Sequence, residues 1–405
     1  MSPRPPGALR VATAGIGVVG VCFGMARYGY GLLLPDVRRD YGLSPALVGG
    51  VAMASYVAYL AATALTGAVA RAHARRTAVA AGLLAACGMA TAGLSRSAAV
   101  FVAGVLVAGA SAGLAFAPFA DAAHSVAPAD RGRVLAAISC GTGYGIALAA
   151  PIAILAGTSW RSAWLAFAVA ALAAAWWAAR VLPADVRTRP SPAAERAPTW
   201  RTVLCRRSLP LLAGGVLVGL GSSAYWTFSV DYLANAGALS ATASRSFLGI
   251  VGVASILATL SGDLLSRLGA VCAYRMSAAV EGAAVGVLAL APSSLPAALA
   301  SGIAFGAAYS AVIAIQAIWG AHVFAARPSL GVAAVMAANG VGFVAGPLGA
   351  GLLAGPIGLG AVLLLAAGLI AAVGALAPRE AIGPRAAAPA PGRVSGHAYS
   401  PARHG

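Results

Sequence analysis

The chain contains no lysine: all 27 basic residues are arginine, set against only 10 acidic residues and 5 histidines. A Walker A loop needs its lysine at the phosphates, so nucleotide hydrolysis of that kind is excluded. Schiff-base chemistry with pyridoxal phosphate falls for the same reason. The five cysteines, Cys22, Cys87, Cys140, Cys205 and Cys272, form no CxxC pair, and four of them stand in apolar stretches. That argues against a disulfide framework and a zinc site. The histidines are not paired at ligand spacing, so no metal or cofactor is expected.

Charge of either sign is scarce. Charged residues make up 9% of the chain, where a soluble domain carries about 25%, while 60% is hydrophobic and the mean hydropathy is +0.87. A water-soluble fold would leave far too much of that surface exposed. What is present instead is a series of apolar segments long enough to cross a bilayer about 30 Å thick. They fall at 9–34, 45–70, 77–95, 98–122, 133–157 and 160–182, and again at 208–233, 240–266, 270–291, 295–321, 329–354 and 357–377. The pattern predicts an all-α membrane protein of twelve transmembrane helices in two six-helix halves, 1–182 and 208–378. A Pro- and Arg-rich cytoplasmic linker, 183–207, joins the halves, and an Ala/Pro/Gly-rich tail, 379–405, is expected to be disordered. The opening MSPRPPGALR leads into the first span without an AxA-like cleavage site and reads as the start of a retained helix.

The net charge of +17 resembles a nucleic-acid footprint, but its distribution does not. No basic patch is interleaved with aromatics, so no nucleic-acid partner is expected. Five arginines (Arg38, Arg39, Arg96, Arg161, Arg245) fall in one set of alternate loops, Arg27 lies inside a span, and the rest gather at the termini and in the opposite loops. By the positive-inside rule both termini are cytoplasmic.

The halves are related to each other. A constant offset of 196 carries Leu43-Ser44 onto Leu239-Ser240, Arg71 onto Arg267, Arg131 onto Arg327 and Pro151 onto Pro347. Internal repeats of this kind mark secondary transporters, whose sites lie near the midplane between the repeats.

The six-plus-six layout, the basic loop after the second span and the glycine-proline helix in each half resemble the major facilitator superfamily. Within it, FGMARYGYGLLLP followed by YGLS, TSWRSAWL and YWTFSVDYLANAGALS resembles the YbfB-like branch. The likeness covers roughly residues 10–378. It implies a bundle whose helices 1, 4, 7 and 10 line a central cavity. It also implies that the helices with Gly145 and Pro151, and with Gly342, Gly346 and Pro347, form the sliding interface of the halves. The loop motif is degenerate: Gly67, Arg71, Arg75 and Arg76 lack the expected acid, and Gly262, Arg267 and Gly269 have Ser266 in its place.

Two enzyme motifs match by letters only. GASAG (Gly109–Gly113) fits the nucleophile elbow and GVGFVAG (Gly340–Gly346) contains GxGxxA, but both lie inside apolar spans and lack the strand context those motifs need. Small residues there let helices approach closely. The chain is not expected to be an enzyme.

Arg27 is the most informative residue. It stands eight residues inside Pro35, about 12 Å deep at 1.5 Å per residue, where a charge costs about 2.5–3.5 kcal/mol on insertion scales. Two readings are open: a cavity-facing substrate ligand beside Tyr30, or structural pairing with an acid or a carbonyl. Phe116, Tyr225, Trp226, Tyr309 and Gln316 are the further substrate-binding candidates, suggesting an aromatic cavity with one fixed charge. Glu281, Asp231 and Asp121 are the acids that could carry a proton or gate the path. The expected function is a monomeric secondary transporter in a bacterial plasma membrane, moving a small organic solute by alternating access, with proton-coupled export. Uptake of a small organic anion is one alternative, and a non-transporting sensor or scaffold is another.

Overall fold

The computed structural model describes residues 7–69, 73–123, 126–182, 203–257 and 261–378. Residues 183–202 of the expected linker and the expected tail lie outside the described residues. Among those described, every regular element is helical, as a chain with few polar groups requires in lipid, where each backbone N–H and C=O must be satisfied within its own segment.

The first half contains α1 (Ala8–Val19), α2 (Gly29–Leu32), α3 (Leu34–Tyr41), α4 (Pro45–Val69), α5 (Ala74–Leu94), α6 (Ala98–Ala115), α7 (Ala117–Ala122), α8 (Pro128–Ser139), α9 (Gly141–Leu155) and α10 (Trp160–Val181). The second contains α11 (Leu209–Asn235), α12 (Ala241–Leu257), α13 (Ser261–Leu290), α14 (Leu295–Val323), α15 (Pro328–Ile357) and α16 (Leu359–Val373). Eleven stretches among the described residues are long and apolar enough to cross a membrane, and the shorter apolar α12 takes the remaining position. The twelve-span expectation holds. Its break between the eighth and ninth spans falls at Gly269, whose φ of 72° interrupts α13; only glycine adopts that conformation without strain.

The first span differs from a plain helix. After α1 the chain widens into a π-helical turn, Gly20–Met25, with the Ala26 N–H bonded to the Val21 carbonyl at 2.8 Å, and then loosens before α2. Close packing accompanies this. A Cβ on Gly24 would stand 2.7 Å from the Ile146 nitrogen of α9, so backbone meets backbone there.

Within the first half α5 packs on α6 and α10, and α4 on α6; within the second, α11 packs on α15 and α16, and α13 on α14 and α16. The halves meet along two seams, α4 against α15 and α9 against α12. On the first seam Gly49 abuts the Pro347 backbone, where a Cβ would stand 3.1 Å from Leu348 Cα. On the second, Arg245 donates through Nη1 to the carbonyls of Ala153 and Gly157, both at 2.8 Å. The helices named for the sliding interface, α9 and α15, each lie on one seam, although the glycines that mark them face inward. Gly145 presses on Gly20, and Gly342 and Gly346 press on α11, each within its own half. Gly143, facing Gly252, the Pro347 carbonyl, and Gly340 and Gly351, facing Leu60 and Pro45, are among the groups that meet the opposite half, while Pro151 is exposed.

Candidate functional site

The loosened stretch after the π turn carries Arg27 to the junction of the halves. Its guanidinium carbon lies 3.9 Å from the ring centre of Tyr56 and 4.5 Å from that of Tyr59, both on α4. Phe23, Tyr28 and, from the other half, Phe343 close the cage at 5.6, 5.9 and 5.6 Å. Ring faces carry negative quadrupole density and attract the cation, but they accept nothing from its in-plane N–H groups. The ion pairs among the described residues are Arg38–Asp231, Arg39–Asp36, Arg161–Asp40 and Arg245–Asp36, and Arg27 belongs to none of them. Its Nε is buried without a hydrogen-bond partner.

Arg27, Tyr30, Ser55, Tyr56, Trp226 and Thr227 line a small space of about 20 Å³, room for about one water. Tyr30 donates to the Val48 carbonyl at 3.1 Å and so turns its hydroxyl away from Arg27. Trp226 packs at 4.4 Å on Tyr28 across the seam and at 5.7 Å on Tyr309. Phe116, 38% exposed, lies edge-on to Phe23 at 5.2 Å. Two other candidates sit behind this lining. Tyr225 is stacked on Phe305 at 3.8 Å and shares a 2.8 Å hydrogen bond with Ser301. Gln316 donates to the Tyr274 hydroxyl at 2.9 Å and accepts from Asn339 at 3.0 Å.

Toward the end of the bundle opposite Gly7 the seam is closed. Gly31 meets the Trp226 carbonyl more closely than a Cβ would allow. Beyond it two ion pairs cross between the halves: Arg38 of α3 with Asp231 of α11, and Asp36 of α3 with Arg245 of α12 at 2.7 Å. Arg245 and Asp36 are 3% and 8% exposed in their side chains. Asn235 also donates to Asp231 at 2.9 Å. Outside these pairs lies a second cavity of about 140 Å³, lined by Asp36, Arg39, Asn235, Ser244 and Arg245. At the same end, the Trp160 indole donates to Asp40 at 2.7 Å and Arg161 pairs with it at 2.9 Å. The indole hydrogen bond, followed by the arginine, holds the Asp40 carboxyl below its ordinary pKa despite the opposing effect of burial.

Glu281 is fully buried in α13 and lines neither cavity. It accepts from Ser222 of α11 at 2.6 Å and leaves Oε2 unpartnered. Asp121 is in α7, with its side chain outside the described residues. Of the loop-motif residues, Arg71 lies outside the described residues, Gly67 and Gly262 are helical in backbone, and Arg75, Arg76 and Arg267 stand at helix ends.

Sequence reasoning passed over Asp36, Arg38 and Arg245 as members of ion pairs between the halves, and Tyr56, Tyr59 and Phe343 as the rings around Arg27. A signal existed for the charges, since they occupy the side where charge is sparse and Asp36 follows Pro35, which opens α3. Tyr56 and Tyr59 share one face at i, i+3, but nothing in an apolar span distinguishes a cage ring from a packing ring.

Two helical halves related by repeat, meeting at a seam that holds an unpaired cation, define a polytopic transport protein. The family model of the Major Facilitator Superfamily matches residues 16–315, and the chain belongs to that superfamily. Among solved structures, a mutant of the nucleoside transporter NupG superposes with a TM-score of 0.74 at 14% identity, covering 90% of this chain and 98% of that one. A bacterial homolog of the human lysosomal transporter Spinster, inward-facing and unoccupied, gives a TM-score of 0.71 at 13% identity, covering 93% and 95%. At such identities the likeness concerns the fold. No curated protein matches by sequence.

Proposed function

We propose that the chain is a monomeric secondary transporter of the YbfB-like branch, exporting a small organic solute from a bacterium by alternating access coupled to protons. In this reading both termini are cytoplasmic and the Asp36–Arg245 end faces outward, in keeping with the arginine distribution. The observation that carries the reading is Arg27: a guanidinium at the seam of the halves, held over rings, outside every ion pair among the described residues, and bordering a small space below crossed ion pairs. A charge held only for stability would have a partner at this depth. Arg38–Asp231 and Asp36–Arg245 serve as the outer gate. Glu281, buried with one oxygen free, is the proton carrier, and Asp121 serves the cytoplasmic mouth. Uptake of a small anion uses the same Arg27 and differs in the sign of the driving gradient.

The test is counterflow in proteoliposomes loaded with a pooled bacterial metabolite extract, with and without an imposed pH gradient. Exchange of some solute, accelerated by the gradient in the parent but not in Glu281→Gln, supports coupled transport. Exchange indifferent to the gradient makes the protein a facilitator, and no exchange of any solute removes the transport reading.

A further inference from the structure

The chemistry left free around Arg27 is narrow. The polar side chains of the second half that stand behind the cavity are bonded to one another: Gln316 to Tyr274 and Asn339, Tyr225 to Ser301, and Glu281 to Ser222. What remains toward the seam is one cation, the side chains of Ser55 and Thr227, and a wall of rings from both halves. In this shape those rings meet each other, Tyr56 with Phe343 at 5.0 Å and Tyr28 with Trp226 at 4.4 Å. Phe116 and Tyr309 stand at the margin, partly exposed.

From this we infer that the site takes a monoanion with a flat aromatic body, its carboxylate on Arg27 and its ring among Tyr59, Phe116, Tyr309 and Phe343. The inference rests on the reading of the Arg27 cavity as the transport site. A guanidinium stacked face-on against Tyr56 keeps its in-plane N–H edge for a planar oxyanion, which it grips with two parallel bonds. An apolar, water-poor surrounding strengthens that contact. The charge count sets the valence. A dianion would bring a second negative charge with no cation for it, because the other arginines near the seam, Arg38 and Arg245, are engaged with Asp231 and Asp36. A cation would be repelled. A nucleoside or sugar would have to strip its hydroxyls of water with few polar groups to replace it. An aromatic body instead exchanges ring–ring contacts across the seam for ring–ligand contacts, touching both halves at once, which is what couples a ligand to their relative movement. The space of about 20 Å³ is lined by Tyr28, Tyr30, Tyr56 and Trp226, so the ligand's ring is admitted beside it only when Tyr56 parts from Phe343 and Tyr28 from Trp226.

The experiment uses purified full-length protein in nanodiscs, titrated calorimetrically with indole-3-acetate, indole-3-acetamide, tryptamine, acetate, phthalate and adenosine. Indole-3-acetate should bind at least about 10-fold more tightly than each of the others, the discrimination expected of a charge-assisted hydrogen bond. Arg27→Lys keeps the charge, loses the fork, and should weaken indole-3-acetate about 10-fold or more while the melting temperature is held. Phe116→Leu alters a partly exposed ring and should narrow the gap between indole-3-acetate and acetate. Binding of the amide or of adenosine as tight as that of the acid overturns the assignment, as does unchanged affinity in Arg27→Lys or no binding by any probe. Metabolite-extract counterflow separates the two levels. If the extract exchanges but indole-3-acetate neither binds nor competes, the substrate class falls and transport stands. If neither occurs, both fall.

Discussion

Asp36→Asn removes, with almost no change of shape, the charge that Asp36 offers to Arg245 at 2.7 Å and to the largely exposed Arg39 at 3.4 Å. The buried Arg245 bears most of the loss. Arg245 reaches Asp36 at 2.7 Å through Nη2 and the Ala153 and Gly157 carbonyls at 2.8 Å through Nη1, with the arginine side chain 3% exposed. Removing one partner of a buried pair costs about 3–5 kcal/mol because the other charge stays buried without compensation. The lower end applies here, since the two carbonyls and the asparagine oxygen still accept from Arg245. That penalty exists only where the halves meet at this end, so it falls on the closed form. About 3 kcal/mol corresponds to on the order of a 100-fold shift of the closed-to-open ratio. The readout is a cysteine in place of Thr227, which lines the Arg27 cavity, in a chain whose five native cysteines are replaced. A membrane-impermeant maleimide applied to intact cells should label it on the order of 100-fold faster in Asp36→Asn, following that same ratio. Asp36→Arg combined with Arg245→Asp should bring the rate back down. If Asp36→Asn folds normally and labels no faster, or if the charge swap labels as fast as the single variant, the pair does not hold the outer end shut.

Arg27→Ala should abolish ligand binding while lowering the melting temperature little, because no buried carboxylate is orphaned; what stability it loses is the cation–π contacts, about 0.5–2 kcal/mol each. Isothermal titration beside a thermal melt separates the two effects, and a collapse of expression with normal affinity in the surviving protein would assign Arg27 to the framework. Glu281→Gln should keep the 2.6 Å contact with Ser222, fold normally, and lose acceleration by a pH gradient, read in the counterflow assay. Asp40 is held below its ordinary pKa in the folded protein, so its contribution to stability is present above the unfolded value of about 3.9 and lost as pH falls through the lower folded value. Melts between pH 3 and 6 should therefore show a smaller acid-side loss in Trp160→Phe than in the parent.

The fold was legible because lipid leaves few options. Spans, their number and the break between the eighth and ninth followed from apolar length and from glycines such as Gly269. The resemblance pointed to α9 and α15 at the interface of the halves, but not to their partners α12 and α4. Arg27 stood out because a charge in an apolar run is costly wherever it points. Its company was not legible. The π turn at Gly20–Met25 breaks the register that placed Tyr30 on the same face, and Gly24 against α9 is a tertiary contact that no local pattern announces. Gln316 and Tyr225 show the converse. Mid-span polar or aromatic residues look alike in sequence whether they face a cavity or are tied to a neighbour such as Tyr274 or Ser301, and that choice is made by packing between helices distant in the chain.

The two seams are copies that have stopped being alike. The repeat offset of 196 places Gly49 and Arg245 at one register, and Pro151 and Pro347 at another. Yet Gly49 rests on the Pro347 backbone without a polar bond, whereas Arg245 is tied to two carbonyls and a carboxylate. Separating the halves at this end leaves the first edge losing only dispersion contacts, which fade smoothly as the surfaces slide. The second edge must give up three hydrogen bonds of one buried cation together. The two edges thus resist separation differently, the first in small increments and the second all at once, and a change of charge at Asp36 or Arg245 acts on the second alone.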